Sequence, residues 1–274
     1  MKEKKSVVIL QYIILAIIAL LFLIPLLWLA FASVDLNASP LLSLPKNPTI
    51  ENYVSVITNP DNLRGFLNSF IIAIITSAVV VVFSFLAAYP LSRYDLKGKR
   101  YFLYIIIFMT SLPINAILVP VFKLFISFGL HDKLVSIAFF MAATNMPYGI
   151  WMMKNFMDSV PVSLEEAARV DGANSLVAMR HIIMPLMIPG ILTVSIYVFT
   201  GAWGNFFVPF ILLQTASNFP SSVRIYQFFD NSGLIEYGRL AAYSVVYMIP
   251  SVILYSFSQR FMSKGFALSG ADKG

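Results

Sequence analysis

Six long apolar stretches constrain this chain more than any other feature of its sequence. A helix needs about 20 consecutive apolar residues to cross the hydrocarbon core of a bilayer. Candidates run over Val7–Ala32, Phe66–Leu91, Tyr101–Phe125, Leu134–Met153, Pro185–Leu213 and Ala241–Met262. The runs are long and do not alternate, so they read as helices rather than barrel strands. Composition agrees: 59% of residues are hydrophobic and 12% charged, against about a quarter charged in soluble domains. The expected fold is an all-α, polytopic membrane bundle of six transmembrane helices, with residues 1–274 forming one transmembrane domain.

The start of the chain resembles a secretory signal, with Lys2, Lys4 and Lys5 ahead of an apolar run that ends in Ala30-Phe31-Ala32. That run is longer than a signal core of about 7–15 residues, so it reads as a retained first span. Lys and Arg then orient the chain. With the N-terminus inside, the outer loops hold only Lys46, Arg64, Lys133, Arg224 and Arg239. Lys123 sits near the outer end of the third span, and all other basic residues fall on the inner side. Both termini are expected in the cytoplasm, and the net charge of +6 reflects the inner loops rather than affinity for nucleic acid.

Several chemistries are disfavoured. There is no cysteine, which excludes disulfides, thiolate metal sites and thiol catalysis. The two histidines, His131 and His181, are far apart and read as loop residues. No catalytic, metal or cofactor site is expected. The spans carry almost no ionisable residue at their centres, where a charge costs about 2.5–3.5 kcal/mol on insertion scales, so no proton relay is visible. The two halves show no convincing repeat, which argues against a carrier acting alone. The polar, Pro- and Asn-rich outer loop Ser33–Gly65 reads as a cap on the bundle, and Gln214–Leu240 has a similar character.

The inner loop from Lys154 to Met184 is the most informative. From Pro161 it reads PVSLEEAARVDGANSLVAMRHIIMPLMIP. Ser163 with Glu166 three residues later suggests a capping box. Glu165 and Glu166 suit the positive end of a helix dipole. Gly172 is placed to stop the helix in a left-handed conformation, and Asn174 to cap a second, rising helix. Leu164, Ala167, Ala168 and Val170 give the short helix a small apolar face. That face could pack on its own membrane domain or receive another surface.

The loop resembles the EAA motif of ABC importer permeases: Glu-Ala-Ala, three residues, Gly, nine residues, Ile, one residue, Leu, Pro. The pattern falls on Glu166, Ala167, Ala168, Gly172, Ile182 and Pro185, with Met184 in place of Leu. Asp171-Gly172-Ala173 and Pro189 resemble the form in sugar importers. So do Leu86–Arg100, Pro48-Thr49 with Glu51-Asn52-Tyr53, Leu112–Leu124, and the ending from Gln259-Arg260 through Gly265 to Lys273-Gly274. That ending is similar to the six-span, maltose-permease type. Trp203-Gly204-Asn205-Phe206 departs from the Trp-Asn-Glu-Phe that relatives often carry.

This resemblance implies a type I ABC importer permease fold. It implies an external solute-binding protein, a second permease subunit and two cytoplasmic ATP-binding subunits as partners. Glu165, Glu166, Ala167, Ala168, Asp171 and Gly172 would couple the loop to an ATPase, with the Gly172 turn transmitting motion. The chain itself lacks the phosphate loop G-x-x-x-x-G-K-[ST]. Gly98-Lys99 is followed by Arg100, and Arg93 stands where the first glycine would be. ATP hydrolysis is therefore expected in a partner, and this subunit is expected not to be an enzyme. Asn68, Ser69, Asn115, Asn145, Trp203 and Asn205 are candidates for the solute pathway. Each could instead serve helix packing. Other readings are an ABC permease for a non-sugar solute, a stand-alone channel or secondary carrier, and a membrane scaffold.

Overall fold

A computed structural model of the chain describes residues 5–228 and 235–270, with side chains described over 7–228 and 235–259. Lys2, Lys4 and the Lys273-Gly274 ending lie outside the described residues. The fold is helical: α1 (Lys5–Ser33), α2 (Glu51–Thr58), α3 (Pro60–Arg93), α4 (Lys99–Thr110), α5 (Ile114–Ser127), α6 (Leu134–Asp158), α7 (Val162–Val170), α8 (Ser175–Leu186), α9 (Ile188–Trp203), α10 (Phe207–Leu212) and α11 (Tyr237–Gly270). Among the described residues, four helices are long and apolar enough to cross a membrane, or up to six if each of two bent pairs counts as one span.

Both bent pairs correct the sequence reading, and proline explains each. The third span, expected as continuous from Tyr101 to Phe125, is broken into α4 and α5 at an angle of 89°. The break contains Pro113, whose backbone is extended. Proline also disfavours the helical conformation of the preceding residue, here Leu112. The fifth span, expected over Pro185–Leu213, is helical only from Ile188 to Trp203. It meets α8 at 71° and gives way after Gly204 to the short α10. Pro185 and Pro189 each lack the amide that would complete the ladder. Just before the bend, Met179–Ile183 relaxes into a π-helical turn. The fourth span is longer than expected, reaching Asp158.

The chain divides into two compact units. One comprises residues 1–63 and 224–249. In it, Asn52 explains the Glu51-Asn52-Tyr53 signature. Its amide is buried and donates to the carbonyls of Ser33 at 3.2 Å and Asp35 at 3.0 Å. Tyr53 donates its hydroxyl to Ser33 Oγ at 2.8 Å. Helix α2 is thus tied to the end of α1, so the outer loop contains a helix that hydrophobicity alone did not reveal. A side chain at Gly238 would strike the Asp35 carbonyl and Asn52.

The other unit comprises residues 64–223 and 250–274. Its core gathers Val80, Phe85, Ala88 and Tyr89 of α3, Ala142, Met153 and Met157 of α6, and Val194 and Val198 of α9. Within a membrane, helices associate through close packing and hydrogen bonds, and small residues permit the approach. At Gly149 an added Cβ would lie 2.6 Å from both Ser84 Oγ and Val80 Cγ1. Thr76 donates to the Ala138 carbonyl at 3.1 Å and Ser77 to the Ser195 carbonyl at 3.1 Å.

Between α5 and α6, Asp132 adopts a left-handed backbone, φ 58°, and staples a second loop to the first. Its carboxylate accepts from the amides of Gln214 at 3.0 Å and Thr215 at 3.2 Å and from the Thr215 hydroxyl. Burial alone would raise the Asp132 pKa. The hydrogen bonds from Thr215 and Gln214 outweigh it and lower the pKa to about 2.

Candidate functional site

The Glu-Ala-Ala loop folds as a short helix, a tight turn and a rising helix. Helix α7 begins two residues earlier than expected, at Val162 after Pro161, and no side chain caps its N-terminus. The capping box between Ser163 and Glu166 does not form, because Ser163 already lies inside the first turn. The end of the helix follows expectation. Gly172 has φ +86°, its amide donates to the Arg169 carbonyl at 3.1 Å, and the Ala173 amide donates to the Ala168 carbonyl at 2.9 Å. This pair of bonds is the Schellman motif, which satisfies the last carbonyls of a helix. Asn174 then caps α8 by accepting from the Val177 amide at 2.9 Å.

The orientation of α7 divides its apolar residues. Glu165 and Ala168 are its buried residues. Leu164, Ala167 and Val170 face outward with Glu166, and Val170 is 88% exposed. Asp171 and Gly172 are exposed at the turn.

What draws a glutamate inward is the end of α3. The Arg93 side chain, 4% exposed, places Nε 3.1 Å from Oε2 of Glu165, itself 3% exposed. The Tyr89 hydroxyl donates to Oε1 of Glu165, and Arg169 Nη2 reaches the same oxygen at 2.7 Å. Arg93 Nη2 also donates to the Val160 carbonyl at 3.0 Å, just before α7. The network continues outward: Arg93 Nη1 donates to Ser92 Oγ at 3.3 Å, and Ser92 Oγ donates to Asp158 at 2.7 Å. Lys154 pairs with Asp158 at 2.5 Å. A buried carboxylate is tolerated only when paired and hydrogen-bonded, and both oxygens of Glu165 are. Sequence reasoning missed Tyr89 and Arg93 as members of this site. Their signal was present: an arginine directly following an apolar span, with a tyrosine one turn before it.

The pathway candidates divide. The Asn68 amide donates to the carbonyls of Ser217 at 2.9 Å and Phe219 at 3.2 Å, and Ser69 Oγ accepts from the Ser221 amide at 2.8 Å. Both therefore hold the loop that follows α10. Asn205 Oδ1 accepts from the Val208 amide at 3.0 Å, and its carbonyl accepts from Ser222 Oγ at 2.8 Å. Trp203 is 2% exposed, with its ring 4.8 Å from that of Phe70. A packing role accounts for these four. Asn115 is exposed on the first turn of α5. Asn145 is half-buried, and its amide donates to the Met141 carbonyl of its own helix at 2.7 Å.

The family model described as "Binding-protein-dependent transport system inner membrane component" matches residues 80–266. The inner membrane ABC transporter permease protein YcjP of Escherichia coli is 34% identical over 232 residues, 83% of this chain and 81% of that protein. The glucose import system permease protein GlcU of Saccharolobus solfataricus is 30% identical over 276 residues, 97% and 96% of the two chains. Among solved structures, a chain of a bacterial ABC transporter involved in the import of the acidic polysaccharide alginate superposes with a TM-score of 0.82. The match covers 95% of this chain and 98% of that one at 23% identity, a likeness of fold.

Proposed function

Because this chain belongs to the family of inner membrane components of binding-protein-dependent transport systems, we propose that it forms half of the pathway of an ATP-driven importer for a mono- or oligosaccharide. An extracytoplasmic solute-binding protein delivers the sugar. A second permease subunit completes the pathway, and two cytoplasmic ATP-binding subunits hydrolyse ATP. The whole chain acts as one transmembrane domain in a bacterial or archaeal cytoplasmic membrane, with both termini and the loop 154–184 on the cytoplasmic side. The sugar assignment is supported by the glucose import function named for GlcU and by the polysaccharide importer of similar fold.

One observation carries the coupling part of this reading: α7 is anchored on one face and apolar on the other. Glu165 and Ala168 are held against their own chain, while Leu164, Ala167 and Val170 face outward beside Glu166. In this arrangement Glu166, Ala167 and the Asp171–Gly172 turn contact the ATPase. Glu165 and Ala168 act one step behind, transmitting the contact to α3 through Arg93.

The test is reconstitution of the full complex in proteoliposomes with its binding protein. Sugar uptake should require ATP, the binding protein and both permeases. Ala167→Trp should abolish uptake and release the ATPase during purification, while the permease pair stays folded. Normal uptake by that variant would exclude α7 as the coupling element.

A further inference from the structure

We propose that Tyr148, Trp151 and Tyr197 form an aromatic stacking face for a sugar ring inside the water-filled pathway, with Asn145 beside them as a hydrogen-bonding group. The proposal rests on the importer reading above and gives it a solute site on this subunit.

The three rings form a continuous strip. Tyr148 and Tyr197 have centroids 4.4 Å apart with planes inclined at 36°. Tyr148 and Trp151 follow at 6.0 Å and the same 36°. Asn145, Tyr148 and Trp151 stand at intervals of three on α6, so they share one side of that helix. Tyr197 reaches them from α9 and is 46% exposed. Tyr148 lies 14 residues after the start of α6 and 10 before its end. At about 1.5 Å per residue, it lies roughly 21 Å from the outer end of α6 and about 9 Å from Lys154, where the inner loop begins, and so within the inner half of a hydrocarbon core about 30 Å thick.

That depth decides what the face meets. Among the described residues, neither the Tyr148 nor the Tyr197 hydroxyl has a hydrogen-bond partner. The Asn145 side-chain oxygen has none either, although its amide nitrogen does. Polar groups left unpaired against lipid within the hydrocarbon core cost several kcal/mol each. The surface of α1 over Ile13–Leu27, exposed throughout, carries no such groups and suits lipid. The α6–α9 face suits water and a ligand that is apolar on its ring faces and polar at its rim. A pyranose has that character. Its axial C–H groups lie on an aromatic face, while phenol and amide groups meet its hydroxyls.

The chain has no cysteine, so single cysteines can report accessibility in the complete transporter. Tyr148→Cys and Tyr197→Cys should react with a charged, membrane-impermeant methanethiosulfonate at least about tenfold faster than Phe22→Cys on the lipid-type surface of α1. D-glucose, trehalose or a galactooligosaccharide, supplied with the binding protein, should slow the reaction at both positions. Failure of both cysteines to react would mean that lipid or the second permease covers the face, and would overturn the proposal. Reaction that none of the three sugars slows would overturn the sugar-stacking role. Val170→Cys on α7 keeps the two readings apart: its protection by the ATP-binding subunit tests the coupling proposal, whatever happens at Tyr148 and Tyr197.

Discussion

Glu165 and Arg93 form a buried ion pair at 3.1 Å between residues 72 positions apart in the chain. Breaking such a pair leaves a buried charge uncompensated, which costs about 3–5 kcal/mol. Arg93→Ala should therefore lower the thermal midpoint of the purified transporter markedly. The exchange Arg93→Glu with Glu165→Arg should recover part of that loss, read by thermal unfolding in detergent.

Gly172 offers a cleaner test of the turn. A Cβ added there meets nothing within 4 Å, so only its φ of +86° opposes substitution. Gly172→Asn should be tolerated, since asparagine visits this conformation readily. Gly172→Val should fray the Schellman turn at a cost of about 1–2 kcal/mol and uncouple ATP hydrolysis from uptake. Both rates measured on the same proteoliposomes would show it.

On the outer face of α7, substitutions should leave stability untouched. Val170→Glu places a charge on a fully solvated position and should not move the thermal midpoint. It should nonetheless reduce co-purification of the ATP-binding subunit at least about tenfold, the effect of roughly 1.4 kcal/mol lost at an interface. Unchanged co-purification would exclude Val170 from the contact.

Asp132 predicts a pH dependence. Its folded pKa of about 2 lies below the ordinary value of 3.8. The lowered pKa means that the charged carboxylate stabilises the folded state. That stabilisation is complete above the unfolded pKa and disappears as the pH falls through about 2. Asp132→Asn should accordingly melt at a lower temperature than the parent at pH 6. The difference should narrow as the pH falls from 4 toward 2, in paired melting curves.

Gly149 predicts a packing failure. Gly149→Leu would force a side chain into Ser84 and Val80, both within 2.6 Å of its Cβ. The α3–α6 contact must then open, and overpacking of this kind costs about 1–3 kcal/mol or more. Reduced yield of folded protein, measured by size-exclusion chromatography, checks it.

Much of the bundle was legible in the sequence because span length and apolarity are imposed by the bilayer. The interruptions were not, because Pro113, Pro185 and Pro189 do not change hydropathy. They change which backbone amides exist and which dihedrals their neighbours can adopt. The loop was half legible. Gly172 and Asn174 act through local backbone geometry, which their spacing encodes. The face of α7 stayed open because its apolar residues could pack on their own domain or receive another surface. Arg93 decides between them by drawing Glu165 inward, and a partner so far back in the chain leaves no trace in the local pattern. The capping box failed for a smaller reason: Pro161 lets the helix start two residues early. The tyrosine face was missed because Tyr148 and Tyr197 become neighbours only when α6 and α9 pack.

The 71° bend between α8 and α9 makes this pair an elbow. A displacement delivered along α8 from the Glu-Ala-Ala loop cannot travel straight up the next helix, because the two axes are closer to perpendicular than to collinear. Most of the stroke must emerge as sideways travel of α9, the helix that carries Tyr197.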